Sequence, residues 1–544
     1  MVMKNKKPFV LSFKEAIGLS KRELGGKGYG LVEMTKLGLP VPPGLIIPTY
    51  VCREYYRAGR LPKQLMDMVA DKLKMIEDKV GRKLGSVHKP LLVSVRSGAP
   101  VSMPGMMDTI LNLGLNDEIV EALAKETGNM SFAYDTYFRF VHCFSRIVLR
   151  VPREKLDEAV EEFLRSRSFS VLDFSKLSHE DLKELIWDLK KVVRRETGKR
   201  FPEDPKDQLK EAIEAVFRSW NNPRAKAYRK LYKIPEDLCT AVIIQAMVFG
   251  NLGQNSGTGV CFTRNPSTGE KELYGEFLIN AQGEDIVAGE RTPIPIHELK
   301  RRFPRIYKEL LNIAGILEKH FKDMQDIEFT IQEGKLYILQ TRPGKRTLKA
   351  SIKIAIDMVK EGLITEREAI ERVDMSNLSQ LFKSRIDPHA GIKPIARGLN
   401  ASPGIATGKV VFTVRDAEVY SSKGEPVILV RPETKPEDVR GIAASVGILT
   451  TKGGMTSHAA VVARGLGKPA VVGAKDVKID LDNELFKVNN LIVRKFDIIT
   501  IDGSTGNIYL GRVPTIKPEI PPEVRKLLKW AKKYGKQVPS ELRI

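Results

Sequence analysis

The chain has 544 residues, 42% hydrophobic and 29% charged, which predicts a soluble globular protein of several domains. Its net charge is +22, but acidic residues are interleaved with the basic ones along the predicted helices, which indicates solvated helix faces and argues against a nucleic-acid partner. The sequence has no signal peptide, no apolar run of membrane-spanning length and no CxxC pair among its four cysteines, so we expect a cytoplasmic protein without a membrane partner.

The predicted elements change character along the chain. Residues 8–112 alternate short strands with turns and helices, residues 113–235 are dominated by helical periods, and strand patterns return from Thr240. Residues 346–390 are predicted to be helices and a loop that join two domains. A second strand-rich unit runs from about Gly398 to Gly511, and the residues after it are rich in proline and then basic and helical. The fold class predicted from these patterns is a multidomain protein of mixed α/β and α+β type.

Two segments near the start of the chain could bind an anion. Residues 24–34 form a glycine-rich turn that enters a helix, and they place Lys27 where it could meet an anion. Arg96 lies at the end of a predicted strand, before a loop of small residues and methionines. No GxxxxGK[ST] phosphate loop is present, so a bound nucleotide would need another phosphate cradle. The alternative for each segment is a tight connection with a solvated cation.

The segment DIEFTIQEGKLYILQTR, residues 326–342, predicts a β-hairpin. A three-residue loop at 332–334 would place Ile331 opposite Lys335 and Asp326 opposite Gln340. A two-residue loop would shift the register by one residue and exchange the two faces. With the longer loop, the apolar face consists of Ile327, Phe329, Ile331, Tyr337 and Leu339, and the polar face of Asp326, Glu328, Gln340 and Arg342.

The polar face of this hairpin suggests a cation site. Asp326 and Glu328 are two residues apart on one strand, and Mg²⁺ is commonly held by one or two carboxylates together with phosphate oxygens. Arg342 beside them suits a phosphate chain. The alternative is a half-exposed strand that carries a surface ion pair.

A histidine follows a Gly-Gly turn in KGGMTSHAAVVARGLGKPAVVG, residues 452–473. Residues 445–450 predict a buried strand, Gly453 and Gly454 end it, and residues 459–466 have helical composition. His458 would then lie in the first turn of a helix, where the helix dipole disfavours imidazolium and the free N–H groups favour a phosphoryl group on the ring. The alternative is a histidine that only closes a helix end.

Taken together, these segments resemble the pyruvate phosphate dikinase family over nearly the entire chain. The stretch SMPGMMDTILNLGLND distinguishes this family from phosphoenolpyruvate synthases and rifampicin phosphotransferases, which share the same plan. The matching stretches include GGKGYGLVEMTKLGLPVPPG, LLVSVRSGAPVSMPGMMDTILNLGLND, FAYDTYFRF, SWNNPRAKAYR, AVIIQAMVFGNLGQNSGTGVCFTRNPSTGE, LYGEFLINAQGEDIVAGERTP, DIEFTIQEGKLYILQTRPGKRT and GGMTSHAAVVARGLGKPAVVG.

The resemblance implies an ATP-grasp nucleotide-binding domain over residues 1–345, with a helical insertion at about 113–235. Linker helices at 346–390, a swivelling phosphohistidine domain at 391–512 and a basic helical tail at 513–544 would follow. Mg²⁺ is the implied cofactor, and His458 is the implied site of phosphorylation. Thr456 matches a position that a regulatory protein phosphorylates in some members. The other implied site residues are Lys27 and Arg96 on the polyphosphate, Asp326 and Glu328 on Mg²⁺, Gln340 and Arg342 completing that site, Gln245 and Met247 at the adenine, Glu276 near the nucleotide, and Ser102, Gly105, Asp108 and Thr109 in a loop that closes over the phosphates.

The implied reaction uses ATP and inorganic phosphate to phosphorylate His458, with release of AMP and pyrophosphate. The phosphohistidine domain then carries the group to a second site. In the family this second site is a C-terminal TIM barrel that binds pyruvate and phosphoenolpyruvate, and its motifs do not occur in these 544 residues. We therefore expect a separate barrel subunit as partner. The alternatives are a different small-molecule acceptor, a sequence that is a fragment of a longer protein, and a non-catalytic, nucleotide-binding regulatory protein.

Overall fold

The computed structural model describes residues 7–103, 105–167, 169, 177–288, 292–375, 378, 385–387, 390–516 and 521–536. The chain divides into two compact units. The first holds Met1–Leu252 and Tyr337–Gln340, and the second holds Gly253–Leu336 and Thr341–Ile544. The domain limits predicted from the sequence stay a prediction, because one compact unit can contain parts of more than one domain.

The first unit is built on an antiparallel five-stranded sheet in the order β1-β2-β5-β3-β4. Its elements are β1 (Leu11–Ser12), α1 (Lys21–Lys36), β2 (Gly44–Ile47), α2 (Thr49–Ala58), α3 (Leu65–Val80), β3 (Val93–Gly98), β4 (Thr109–Leu113), α4 (Asp117–Thr127), α5 (Met130–Ile147), α6 (Arg153–Ser166), α7 (His179–Thr197), α8 (Pro205–Ser219), α9 (Pro223–Leu231) and β5 (Ala241–Ala246). The helical pattern of residues 113–235 corresponds to α4 to α9.

The core of the first unit lies between this sheet and the helices that pack on it. Strand β5 is buried at all six positions, as expected for a central strand with a neighbour on each side. Helix α5 begins where the Asn129 side chain accepts a hydrogen bond from the Phe132 N–H at 3.0 Å, a standard N-cap. Its buried aromatic side chains at Phe132, Tyr137 and Phe140 join the same core as the inner face of the sheet.

The second unit contains several sheets. Its first part comprises β6 (Gly257–Phe262), β7 (Tyr274–Ile279), α10 (Gly283–Ala288), β8 (Ile294–Pro295), α11 (Leu299–Arg302), α12 (Pro304–Phe321), β9 (Gln325–Gln332) and β10 (Lys335–Pro343). Strands β9, β6, β7 and β8 lie side by side in this order and are antiparallel. Residues 337–340 of β10 are counted with the first unit.

Helices follow, and they form a separate apolar cluster. They are α13 (Leu348–Lys360), α14 (Glu366–Arg372) and, near the end of the chain, α18 (Pro522–Lys533). The buried side chains Ile352, Ile356 and Leu527 pack in one cluster that these helices share. The basic residues of the tail helix lie mainly on its exposed face, which agrees with the interpretation of solvated helix charges.

The remaining strands form an eight-stranded mixed sheet, a small three-stranded sheet and a two-stranded sheet that pairs residues 385–386 with residues 515–516. The larger sheet has the order β12-β22-β21-β14-β15-β16-β17-β13, with β14 to β17 parallel. These elements are β11 (Arg385–Ile386), β12 (Ala396–Arg397), β13 (Leu399–Ser402), β14 (Ile405–Val411), α15 (Val414–Ser422), β15 (Val427–Arg431), α16 (Val439–Ala444), β16 (Gly447–Thr450), α17 (His458–Gly465), β17 (Ala470–Val472), β18 (Lys478–Asp480), β19 (Leu485–Val488), β20 (Leu491–Arg494), β21 (Ile498–Asp502), β22 (Asn507–Leu510) and β23 (Thr515–Ile516). None of the described helices has the length and apolar composition that a membrane span needs.

The three-residue hairpin loop predicted at 332–334 is wrong. Only Glu333 and Gly334 lie between β9 and β10, and their φ angles are 49° and 75°. Two successive residues with positive φ are characteristic of the type I′ turn that two-residue hairpins favour. The shorter loop shifts the register by one residue, so Leu336 and Ile338 are buried instead of Tyr337 and Leu339.

Asp326, Glu328 and Arg342 of the predicted polar face nevertheless lie together, because the register shifts again along β10. Gly344 N–H donates to Met324 O at 3.0 Å, and Arg342 Nε donates to Asp326 Oδ2 at 2.7 Å. Regular pairing on from the two-residue turn would place Asp326 opposite Thr341. Because Asp326 is bonded to Arg342 instead, β10 contains one extra residue, a β-bulge. Asp326 therefore pairs with Arg342, and the predicted pairing of Asp326 with Gln340 is wrong.

Candidate functional site

Lys27 follows a glycine break in α1 that lets the helix approach the end of β3. Gly25 has φ 71° and ψ 166° inside the helix, a conformation that is essentially restricted to glycine. A Cβ at Gly25 would come within 2.5 Å of the carbonyl carbon of Gly98. The N–H of Gly26 donates to Ala99 O at 2.7 Å. This backbone donor is therefore used within the protein.

Arg96 and Gln340 are brought together within the first unit. Arg96 lies on β3, and its Nη2 donates to Gln340 Oε1 at 3.0 Å. Its Nη1 donates to Leu339 O at 3.2 Å. The guanidinium is thereby held in one orientation by a side chain and a backbone carbonyl, as a preorganised phosphate-binding group requires.

The two residues predicted at the adenine lie on and just after the central strand β5. Gln245 is 2% exposed, and its Nε2 donates to Pro42 O at 3.0 Å. The Met247 side chain is half-buried against the apolar core, and its N–H donates to Leu92 O at 2.9 Å. Both positions are fixed by the sheet, but the Gln245 amide nitrogen is used within the protein.

The loop at residues 102–109 is anchored to the start of α9. Asp108 accepts a hydrogen bond from Asn222 Nδ2 at 3.1 Å and forms an ion pair with Arg224. The same arginine donates from Nε to Met106 O at 3.1 Å. Sequence reasoning missed both partners, although they lie in the SWNNPRAKAYR stretch. The other loop positions predicted for the site are placed as follows: Ser102 and Gly105 are exposed, and Thr109 begins β4 opposite Arg96.

The carboxylate face of the second unit consists of Asp326, Glu328 and Arg342. Arg342 bonds to Asp326 at 2.7 Å, and its Nη2 lies 3.8 Å from Glu328 Oε1. Asp326 is 6% exposed, and burial raises its pKa, although the neighbouring Arg342 opposes this shift. The Asp326 carboxylate in turn raises the pKa of the Arg342 guanidinium. The arginine shift indicates an ionised pair, which the 2.7 Å contact supports.

The donors at this face fit Mg²⁺. Asp326 Oδ1 is buried and has no hydrogen-bond partner among the described residues, so an oxygen that prefers a cation is available. Within the described part of the chain, no group of three or more His, Cys, Asp or Glu side chains could hold a metal ion. A cation at Asp326 and Glu328 would therefore take its other oxygens from a ligand, which is how Mg²⁺ binds with nucleotide phosphates.

Glu276 is bonded to the loop that precedes His458. It lies on β7, and its carboxylate accepts from Met455 N–H and from Thr456 Oγ1, both at 3.2 Å. Burial raises its pKa, and these two hydrogen bonds oppose the shift. A Cβ at Gly454 would lie 2.5 Å from Glu276 Oε1, so this position needs a glycine. The sequence predicted only proximity of Glu276 to the nucleotide, and this contact was missed.

His458 is the first residue of α17, as the sequence predicted. It follows β16, and Thr434 follows the parallel neighbour β15, so both residues lie at the carboxyl edge of this sheet. Thr434 Oγ1 lies 3.2 Å from His458 Nδ1. The opposite ring nitrogen, Nε2, is buried and has no hydrogen-bond partner among the described residues. Thr434 was missed because the sequence offers no signal that strands β15 and β16 are adjacent.

Burial determines the protonation state of His458. Desolvation lowers the pKa of the ring to about 4, a shift that Lys345 reinforces and that Asp438 and Glu437 oppose. The ring is therefore neutral at pH 7, as the sequence predicted, but the largest cause is burial and not the helix dipole. A neutral imidazole with an unpaired nitrogen is a competent nucleophile.

Two cations near the carboxylate face, the buried Arg464 and the half-buried Lys345, were also missed. Arg464 lies on α17 and is 3% exposed, and burial lowers its pKa to about 10. Lys345 follows β10, and burial lowers its pKa as well. Nothing in the spacing of basic residues along the sequence separates these two from the many solvated ones.

Comparison with known families supports the resemblance drawn from the motifs. The model for the pyruvate phosphate dikinase AMP/ATP-binding domain matches residues 58–303 and 305–363. The model for the mobile domain of PEP-utilising enzymes matches residues 423–506, which include the histidine loop and α17. The first match covers more than half of the chain.

Curated relatives agree with these matches. Pyruvate, phosphate dikinase of Clostridium symbiosum is 50% identical over 531 residues, which are 97% of this chain and 60% of the relative. The protein of the same name from Rhizobium meliloti is 51% identical over 521 residues, 93% of this chain and 58% of the relative. Chloroplastic pyruvate, phosphate dikinase 1 of Arabidopsis thaliana is 50% identical over 514 residues, 94% of this chain and 53% of the relative. The chain spans 60% or less of the length of these relatives, and it belongs to the pyruvate phosphate dikinase family of phosphotransferases.

Proposed function

We propose that this chain transfers the β-phosphoryl group of ATP to His458 and releases AMP and, with inorganic phosphate, pyrophosphate. The observation that carries the proposal is the half-buried, neutral His458 ring at the start of α17, whose Nε2 is buried and has no hydrogen-bond partner among the described residues. Family membership supports it independently, because the matched models describe an AMP/ATP-binding domain and the mobile domain of PEP-utilising enzymes.

The nucleophile is His458 Nε2. With the proton on Nδ1 and donated to Thr434 Oγ1, 3.2 Å away, the Nε2 lone pair is free to attack. The new bond joins Nε2 to the β-phosphorus, and the bond from the β-phosphorus to the oxygen shared with the α-phosphate breaks. That oxygen takes the electron pair and leaves as part of AMP. An oxygen of inorganic phosphate then attacks the γ-phosphorus, and the bond from the γ-phosphorus to the oxygen that bridges to the β-phosphorus breaks. The bridging oxygen keeps the electron pair and stays on the β-phosphoryl group bound to His458, while pyrophosphate leaves.

The remaining site residues bind and orient the nucleotide. Lys27 and Arg96 contact the polyphosphate, and Gln340 holds the Arg96 guanidinium in place. The adenine is bound beside Gln245 and Met247. Residues 102–109, anchored at Asp108, cover the phosphates.

Asp326 and Glu328 are the residues that would hold Mg²⁺, and Arg342 neutralises their charge in its absence. When bound, the ion supplies positive charge against the charge that develops on the transferring oxygens. With the ion on these carboxylates, the Arg342 guanidinium would be able to bind phosphate oxygens.

We further propose pyruvate as the acceptor, bound by a separate barrel-type subunit, so that the product is phosphoenolpyruvate. This step rests on the likeness to relatives named pyruvate, phosphate dikinase. It predicts that phosphoprotein loses its label to pyruvate only when a pyruvate-binding barrel is added. Transfer to another small molecule without a barrel would contradict it.

The test of the first step measures AMP, pyrophosphate and acid-labile phosphoprotein after incubation with ATP, Mg²⁺ and phosphate. We expect all three products from the wild type and none from His458→Asn. The matched control is His88→Asn, since His88 is exposed in the first unit and has no proposed role. AMP release that survives His458→Asn would contradict the proposal.

A further inference from the structure

The Arg464 guanidinium is buried with most of its donors unused. It lies on α17, six residues after His458, and only its Nη2 has a hydrogen bond, to Met455 O. Both Nε and Nη1 are buried and have no hydrogen-bond partner among the described residues. The guanidinium also lies 5.7 Å from the centre of the Phe262 ring. A buried cation whose donors lack acceptors is strongly unfavourable, so the arrangement indicates a missing group that is rich in acceptor oxygens.

An unpaired carboxylate oxygen and a second cation interact with this guanidinium. Asp326 Oδ1 is buried and unpaired, and Asp326 and Arg464 interact electrostatically. Lys345 interacts with both of them. Its Nζ lies 3.6 Å from where a Cβ would stand on Gly465, the last residue of α17. The Asp326 oxygen needs a cation, while Arg464 and Lys345 need anionic oxygens.

One ligand satisfies all of these groups. A phosphate chain with a bound divalent cation presents the metal to Asp326 and phosphate oxygens to the two basic side chains. A water cluster could fill the same space, but water adds no negative charge to the Asp326 and Glu276 carboxylates that interact with Arg464. A free carboxylate ligand would meet the cations and leave Asp326 Oδ1 without a partner.

We propose that Arg464 and Lys345 bind the phosphate oxygens of the nucleotide that is held at Asp326 and Glu328. The helix that carries the nucleophile thus also carries a phosphate-binding residue. Bound nucleotide is then what holds α17 against the carboxylate face. The inference rests on the proposed function for the identity of the ligand, since it assigns two further residues to the same nucleotide.

The test is calorimetric binding of a non-hydrolysable ATP analogue, with Mg²⁺, to the full chain. Arg464→Gln and Lys345→Met should each weaken binding about tenfold or more, the usual effect of removing a charge-assisted hydrogen bond. Arg464→Lys should recover part of the loss. The matched controls are Arg440→Gln and Lys349→Met, which change exposed residues of the same unit and should leave the affinity unchanged.

Two further readouts separate ligand binding from a purely structural role. Adenosine, which lacks phosphates, should bind both variants and the wild type equally. The analogue should protect His458 from acylation in the wild type and protect it less in Arg464→Gln. If Arg464→Gln does not fold, Arg464→Lys and Lys345→Met decide the question.

Equal analogue affinity in the wild type, Arg464→Lys and Lys345→Met would overturn the proposal, and so would equal loss of analogue and adenosine binding. The proposed function fails separately. If ATP does not label His458 in the wild type but the analogue still distinguishes the Arg464 variants, the phosphate-binding role stands and the transfer reaction does not.

Discussion

The clearest physical prediction concerns the charge of His458 in mildly acidic solution. Burial lowers the pKa of this ring to about 4. We consider a change of the solution from pH 7 to pH 5, which passes through the ordinary histidine pKa of about 6.5. At pH 5 a ring with a pKa of 4 is about one-tenth protonated, whereas an ordinary histidine is about 97% protonated. The neutral fractions differ by about 30-fold.

Diethylpyrocarbonate acylates only neutral imidazole, so its rate of reaction reports this fraction. The acylation of the His458 peptide, followed by mass spectrometry, should stay nearly constant from pH 7 to pH 5. A free histidine peptide in the same tube should slow about 25-fold over this range. Mutation of Asp438 or Glu437 to its amide should lower the His458 pKa further, because both carboxylates oppose the shift.

The same shift has a consequence for stability. The unfolded chain binds a proton at His458 near pH 6.5 and the folded chain near pH 4, so falling pH favours the unfolded state between these values. The stability that the neutral ring confers is present above pH 6.5 and is lost toward pH 4. His458→Gln, which cannot titrate, should lose less thermal stability over this range than the wild type. Acylation of His458 with a midpoint near pH 6.5 would refute the reasoning.

Three other predictions follow from single contacts. Gly454→Ala puts a methyl group 2.5 Å from Glu276 Oε1, the oxygen that accepts the hydrogen bond from Met455 N–H. Hydrogen exchange of the Met455 amide should therefore accelerate about tenfold or more. Unchanged exchange would contradict this contact. Asp326→Asn removes a carboxylate ligand, and calorimetry should show at least tenfold weaker binding of an ATP analogue with Mg²⁺; equal affinity would rule out the predicted metal site. Gly25→Ala should lower the free energy of unfolding in denaturant by about 3 kcal/mol or more, because the new methyl group adds a clash with the Gly98 backbone to the strain of a positive φ. The control is Gly38→Ala, which has φ 72° and open space around it and should cost only about 1 kcal/mol. Similar values for both variants would show that the clash with Gly98 is relieved cheaply.

Local patterns in the sequence predicted the elements that depend on local chemistry. The strand before the Gly-Gly turn and the helix that starts at His458 both occur as predicted, since burial pattern, glycines and caps are encoded within a few residues. The helical region between Asp117 and Leu231 was predicted for the same reason. The hairpin register was not, because Glu333 adopts a positive φ that residue type alone does not favour.

Long-range contacts could not be predicted from the sequence. Thr434 and His458 are 24 residues apart and meet only because β15 and β16 are parallel neighbours. The Glu276 contact with Thr456 spans 180 residues. Arg464 has the same local signature as many solvated arginines, and only its burial distinguishes it. Motifs thus located the chemistry, while the partners that orient it needed the tertiary fold.

The central claim is that His458 accepts the β-phosphoryl group of ATP. Its most direct test is a pair of incubations with Mg²⁺ and inorganic phosphate, one with ATP labelled at the β-phosphorus and one with ATP labelled at the γ-phosphorus. The account predicts acid-labile label on the His458 peptide from the β-labelled ATP only, and γ-label recovered in pyrophosphate. Label on His458 from the γ-position, or no label on this peptide from either, would contradict it.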